Sequence, residues 1–224
     1  MMQDIVLTFH GIGPPPAWVP EAERPYWMPK ADFLAFIAQV GSQARDLDLR
    51  LTASFDDGNL SDLEIAAPAL RQHAIAGLFF PCSGRIGKPG YLSADSIRTL
   101  SDQGFGIGTH GVDHLPWASL GPAALSDEVN QSKTVIETVL GRAINAAALP
   151  FGSYNRRVLA ALRAAGYSTV YSSDPGLAQQ GALFQRRWSY KTGMDFDLRS
   201  LARQSRDPVR KIVGSAKQLI KSLR

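Results

Sequence analysis

The 224-residue chain contains one cysteine, Cys82, and four histidines. A single cysteine excludes an intramolecular disulfide and any Cys-x-x-Cys metal site. No apolar run approaches the ~18 residues of a membrane helix. Met1-Met2-Gln3-Asp4 opens without a basic stretch and an apolar core, so no signal peptide is expected. These absences together set the expectation of a reducing, cytoplasmic setting. No internal repeat at solenoid spacing is present, and no linker divides the chain. A strong charge of one sign is also missing from most of it. The net charge is +4, but residues 199–224 carry eight Lys/Arg against one acid, leaving the remainder at −3. The body therefore lacks the basic footprint of a nucleic-acid-binding domain.

What is present is a regular alternation of apolar runs and amphipathic stretches. Strands are expected over residues 5–9, 51–55, 77–81, 105–109, 144–149, 167–171 and 184–189. Between them lie expected helices over 31–45, 61–73, 93–102, 122–140 and 155–165. Ser61 or Asp62 is the expected cap of the second, and Asn155 of the last. Residues 14–29 read as a long irregular loop carrying Trp18, Tyr26 and Trp27, aromatics suited either to stacking on sugar rings or to packing on the body. Repeated strand–helix units argue for an α/β fold with a parallel sheet, open or closed into a barrel. Polar residues gather where strands end: His10, Asp56-Asp57, His110, Pro150-Phe151-Gly152 and Asp174. In parallel α/β folds that is where sites assemble.

Asp56-Asp57-Gly58 closes a strand with adjacent carboxylates. Taken alone it suits a polar turn, but a cation bound to one acid also relieves the repulsion and leaves the other free as a base. His110-Gly111-Val112-Asp113-His114 places two imidazoles four residues apart, with Gly111 and Pro116 suggesting a tight loop. Together with Asp57 they form a two-nitrogen, one-oxygen set that leaves a position open for water. Such a set suits zinc, and also other divalent transition metals.

These stretches resemble the motifs of the polysaccharide deacetylases of carbohydrate esterase family 4. Thr52 to Gly58 is similar to that family's Thr-Phe-Asp-Asp-Gly, and Thr109 to Pro116 to its histidine-bearing second motif. Leu149-Pro150-Phe151-Gly152 resembles its third, and order and spacing agree over residues 5 to 190. The resemblance implies a distorted (β/α) barrel of about seven strands, here residues 1–198, with 199–224 as a basic amphipathic helix of the same domain. It implies Asp56 as general base, Asp57, His110 and His114 as ligands of one divalent ion (zinc, cobalt or nickel), and Pro150, Phe151 and Gly152 at the substrate. Two departures stand out. The third motif's usual arginine is replaced by Ala148, and no histidine follows His114 to serve as a late general acid. Phe9-His10 is similar to an N-terminal Tyr-His segment of some branches, which makes His10 a catalytic candidate. Arg186 or Arg187 could supply the missing charge. Arg187 is preferred, because strand alternation points only one inward and arginine before an apolar residue, Trp188, suits the pattern.

The implied activity is metal-dependent removal of acetyl groups from N-acetylated sugars of a polysaccharide or glycan precursor. Hydrolysis of a small non-sugar amide and a non-catalytic glycan-binding module are the alternatives. The tail, residues 207–224, pairs an apolar stripe with lysines and arginines. Such a stripe can dock on the barrel or lie on the inner face of an anionic membrane.

Overall fold

The computed structural model describes residues 3–179, 181–194 and 197–206. Five parallel strands form one sheet in the order β4-β3-β2-β1-β8: β1 Gln3–Phe9, β2 Leu49–Asp57, β3 Ala76–Pro81, β4 Gly106–Ile107 and β8 Trp188–Ser189. Three more, β5 Ala146–Ala148, β6 Thr169–Tyr171 and β7 Phe184–Gln185, form a second parallel sheet. A parallel bridge between Thr109 and Ala147 joins the sheets on one side, and the short β7–β8 connection joins them on the other. The strands thus follow one another as in a (β/α) barrel. The helices are α1 Lys30–Asp46, α2 Ala67–Gln72, α3 Ala94–Asp102, α4 Pro122–Ser126, α5 Ser132–Leu140, α6 Arg156–Ala164 and α7 Leu198–Arg206.

Strand alternation sorts the residues of β1–β3 into two layers. Phe9, Phe55 and Phe79 are register partners on neighbouring strands. Their rings stack at 5.4 and 5.0 Å, and Phe33 of α1 meets Phe9 edge-on at 5.3 Å. This aromatic ladder seals the sheet beneath its helices, each fully buried ring contributing about 1.5–3 kcal/mol. The alternate residues face the barrel interior, where Thr8 and Ser54 share a 2.9 Å hydrogen bond, with Asp56 next on the same face. By alternation Asp57 belongs on the opposite side. Its left-handed backbone, φ +79°, breaks the alternation and frees its carboxylate to turn to the strand end.

The structure revises several sequence expectations. The strand expected over 184–189 is two strands in different sheets, because the Arg187 N–H leaves the ladder to bond the Asp174 carbonyl at 3.2 Å. Of the strand expected over 105–109, only Gly106 and Ile107 form a ladder with β3, and Thr109 bridges Ala147 instead. A Cβ on Gly108 would lie 2.5 Å from the Phe80 ring and 2.6 Å from the Ala146 carbonyl oxygen, and there the chain passes from β3 to β5. Ser61 caps no helix. Its hydroxyl accepts the Ile12 N–H at 3.1 Å, tying the exit of β1 to the segment before α2. That segment, Asp62–Ala66, is a widened π-type turn, consistent with Pro68 having no N–H to donate. Asn155 and Ser93 do cap α6 and α3, accepting the N–H of Val158 and Ser96. A boundary after residue 198 falls on the first residue of α7, which buries Leu198 and Leu201 and packs on α1. Residues 207–224, expected as a basic amphipathic helix, lie outside the described residues.

Candidate active site

A cavity of about 330 Å³ opens where β1, β2 and the chain after β4 end. Asp56, Asp57, His10, His110, His114, Leu149 and Phe151 line its floor and one wall. Glu23, Tyr26 and Trp27 of the 14–29 loop form another wall, with Ser173, Ser189, Lys191 and Met194 completing the rim.

Donor atoms of Asp57, His110 and His114 lie within 4.8 Å of one another, and all three residues are buried. Their local geometry suits ligation. His110 Nδ1 stands 3.0 Å from the Ala148 carbonyl oxygen, which can only accept, so Nδ1 carries the proton and Nε2 presents a lone pair to the site. The residue that replaces the expected arginine therefore orients a ligand through its backbone. His114 returns to the site from a loop rather than a helix. A left-handed backbone, φ +58°, brings its ring to 4.9 Å from that of His110 and its Nε2 to 3.6 Å from Asp57 Oδ1. Burial pushes the His110 imidazole down to about 4 despite the opposing pull of Asp56, and burial also lowers His114. Both are then the neutral donors that a cation requires.

Asp57 supplies the test of fit. Burial would raise its pKa, yet His114, His10, His110 and Arg85 hold it below the usual carboxylate value. Oδ1 nevertheless accepts no hydrogen bond, although Arg85 Nη1 is 3.1 Å away. A buried, ionised and unbonded oxygen beside two neutral imidazole nitrogens fits a divalent ion.

Asp56 sits in a different environment. Arg187, fully buried, grips it with both ends of its guanidinium: Nη1 to Oδ1 at 2.7 Å and Nη2 to Oδ2 at 2.8 Å. Arg187 also donates through Nε to the Ser172 carbonyl at 3.0 Å and through Nη1 to Ser54 at 3.3 Å, and it lies near the Phe80 and Tyr171 rings. Burial opposes ionisation of Asp56, but Arg187 and His110 outweigh it and hold the carboxyl far below its usual range. Oδ2 remains 3.8 Å from His110 Nε2, beside the ligand cluster.

The other expected site residues are placed less uniformly. His10 lines the cavity, its ring 5.1 Å from that of Tyr26 and its buried Nδ1 without a hydrogen bond. Phe151, 59% exposed, lies over His114 at 4.3 Å with a left-handed backbone. Pro150 and Gly152 shape this turn from behind. The Gly152 and Ser153 N–H groups close it on Leu149 and Pro150, and Gly152 itself has φ +59°. Asp174 faces Tyr154, whose hydroxyl it accepts at 2.8 Å, and does not line the cavity. Sequence reasoning missed Glu23, Arg85, Lys191 and Met194. Glu23, Lys191 and Met194 lie on loops and Arg85 ends a three-residue 3-10 turn, where no periodicity points to a site.

Comparison with known proteins agrees with this geometry. The chain is 27% identical over 143 residues to YxkH of Bacillus subtilis (strain 168), provisionally named a polysaccharide deacetylase; the match covers 63% of this chain and 51% of that one. The chain thus spans about half the length of that relative. Among solved structures, Streptococcus pyogenes deacetylase PplD in complex with acetate superposes with a TM-score of 0.71 at 19% identity, covering 92% of this chain and 99% of that one. IcaB from Ammonifex degensii gives 0.70 at 20% identity, covering 92% and 96%. These two share its fold. Residues 48–170, which run from β2 with its paired acids through both histidines to β6, match the family model described as Polysaccharide deacetylase. On that match the chain belongs to the polysaccharide deacetylase family.

Proposed function

We propose that the protein is a metal-dependent hydrolase that removes acetyl groups from N-acetylated sugars of a polysaccharide or glycan precursor. The observation that carries this reading is the division of labour between adjacent acids. Asp57 stands with His110 and His114 as a ligand set, while Asp56 is gripped by Arg187 beside them. Zinc suits the two-nitrogen, one-oxygen donors, and cobalt and nickel are substitutes of similar preference. When bound, such an ion supplies Lewis acidity for the acetamide carbonyl and the attacking water.

The chain's own groups supply the rest. Arg187 uses one lone pair on each Asp56 oxygen, leaving Oδ2 able to accept a proton on the side facing His110. Its grip keeps Asp56 ionised and lowers its basicity, so Asp56 acts as general base through position more than through proton affinity. The Phe151 N–H, in the turn held by Pro150 and Gly152, is the candidate donor to the developing oxyanion. His10, which lines the cavity beside Tyr26, is the candidate to protonate the departing amine. Tyr26, Trp27 and Phe151, which line the cavity, are the aromatic candidates to stack on a sugar.

Arg187 also removes the main motive for a non-catalytic binding module, since the charge absent at position 148 is present at Asp56 from another strand end. The test is acetate release from N-acetylglucosamine oligomers by zinc-loaded protein. Release that stops on chelation and returns with zinc supports the proposal. Bound zinc without hydrolysis of any acetamide, sugar or not, overturns it.

A further inference from the structure

The loop that carries the histidines has no regular structure, yet it must return His114 to the ring of His110 within five residues. On one side it is bonded to the chain leaving β3: Ser83 N–H donates to the Gly111 carbonyl at 2.9 Å and Gly84 N–H to that of Val112 at 3.0 Å. On the other side it meets a single acid. Glu128 accepts the Val112 N–H on Oε2 at 3.0 Å and the Asp113 N–H on Oε1 at 2.9 Å, and Oε2 also accepts Trp117 Nε1 at 3.1 Å. Glu128 is only 4% exposed.

The sequence puts this acid where an apolar residue belongs. Leu125, Glu128, Val129, Ser132 and Ile136 form the buried stripe of the 122–140 helix, and Glu128 lies in its widened turn, Asp127–Gln131. A buried carboxylate there is tolerated because three N–H donors satisfy it. The fit leaves no slack at Gly111, where a Cβ would lie 2.3 Å from Glu128 Oε2. The loop that carries His110 and His114 is thereby tied to a helix that contributes no ligand.

We infer that Glu128 is a positioning residue for the ligand set. Its carboxylate clamps the backbone of residues 112 and 113, and so fixes where His114 faces Asp57. The inference rests on the metal reading above, and its failure can be told apart from failure of that reading.

The test is zinc affinity of the full chain, measured by competition with a chromophoric chelator, together with the visible spectrum of the cobalt form. Glu128→Gln keeps the side chain's size but turns an NH₂ toward a backbone N–H. It should weaken zinc binding by about 10–100-fold and change the cobalt spectrum. In a His114→Ala background the same substitution should add less than about threefold, because the residue it positions is gone. Trp117→Phe removes a donor to the same carboxylate but leaves both loop bonds. It should lower the melting temperature while zinc affinity stays within about threefold. Should Glu128→Gln not fold, Glu128→Asp, which keeps the charge but withdraws it by one methylene, must show the same loss. Wild-type zinc affinity in a folded Glu128 variant overturns the inference, as does an equal loss in Trp117→Phe. Absence of zinc binding in the wild type would instead count against the metal reading itself.

Discussion

Asp56 and Asp57 are neighbours in sequence with opposite surroundings. Asp56 is held by a bidentate arginine, and Asp57 keeps a buried oxygen without a hydrogen bond. Asp57→Ala should therefore lose zinc, as read by metal analysis after gel filtration. Asp56→Asn should retain it and lose about 10²–10⁴-fold in turnover. Near-normal turnover in Asp56→Asn would mean the roles are misassigned. The ion pair also makes a stability claim. Arg187→Met leaves Asp56 buried and uncompensated and should destabilise the fold by about 3–5 kcal/mol. Adding Asp56→Asn to that variant should recover part of the loss, because the orphaned charge disappears. Urea titrations of the three variants check this, and strictly additive losses would deny the pairing.

At the scale of elements, the 14–29 connection is a wall of the cavity. Gly11 makes that possible, since a Cβ there would lie 2.1 Å from the Trp27 ring. Gly11→Ala should push Trp27 and its loop off the strand end, raising KM for an oligosaccharide by about tenfold, or 1.4 kcal/mol. Zinc content should not change, and an unchanged KM would remove this loop from substrate binding. The strands and paired motifs were legible because alternation and spacing are local properties. The split of residues 184–189 was not, because one apolar–polar run serves two sheets: Phe184 and Gln185 pair with β6, whereas Trp188 and Ser189 pair with β1. Glu128 left a faint trace, an acid on a helical stripe otherwise made of Leu125, Val129, Ser132 and Ile136. Its purpose depends on the 110–114 loop arriving from elsewhere in the chain. Glu23 and Lys191 left no trace, since a charged residue on a loop reads as solvated until the loop folds over a cavity.

At the scale of the whole molecule, the site gathers residues from 10 to 194 around one end of the strands, so an ion bound there links segments distant in sequence. Zinc at 100 times its dissociation constant should stabilise the protein by about 2.7 kcal/mol over the chelated form. A chelator that leaves the melting temperature unchanged would mean that no ion is held by the folded state. The most direct measurement is anomalous diffraction at the zinc edge from crystals of the zinc-loaded protein. The predicted result is one strong peak bonded to Asp57, His110 Nε2 and His114, with Asp56 still gripped by Arg187 and not ligating. A peak ligated by Asp56, or none between the two histidines, would contradict the division of the paired acids on which the proposed chemistry depends.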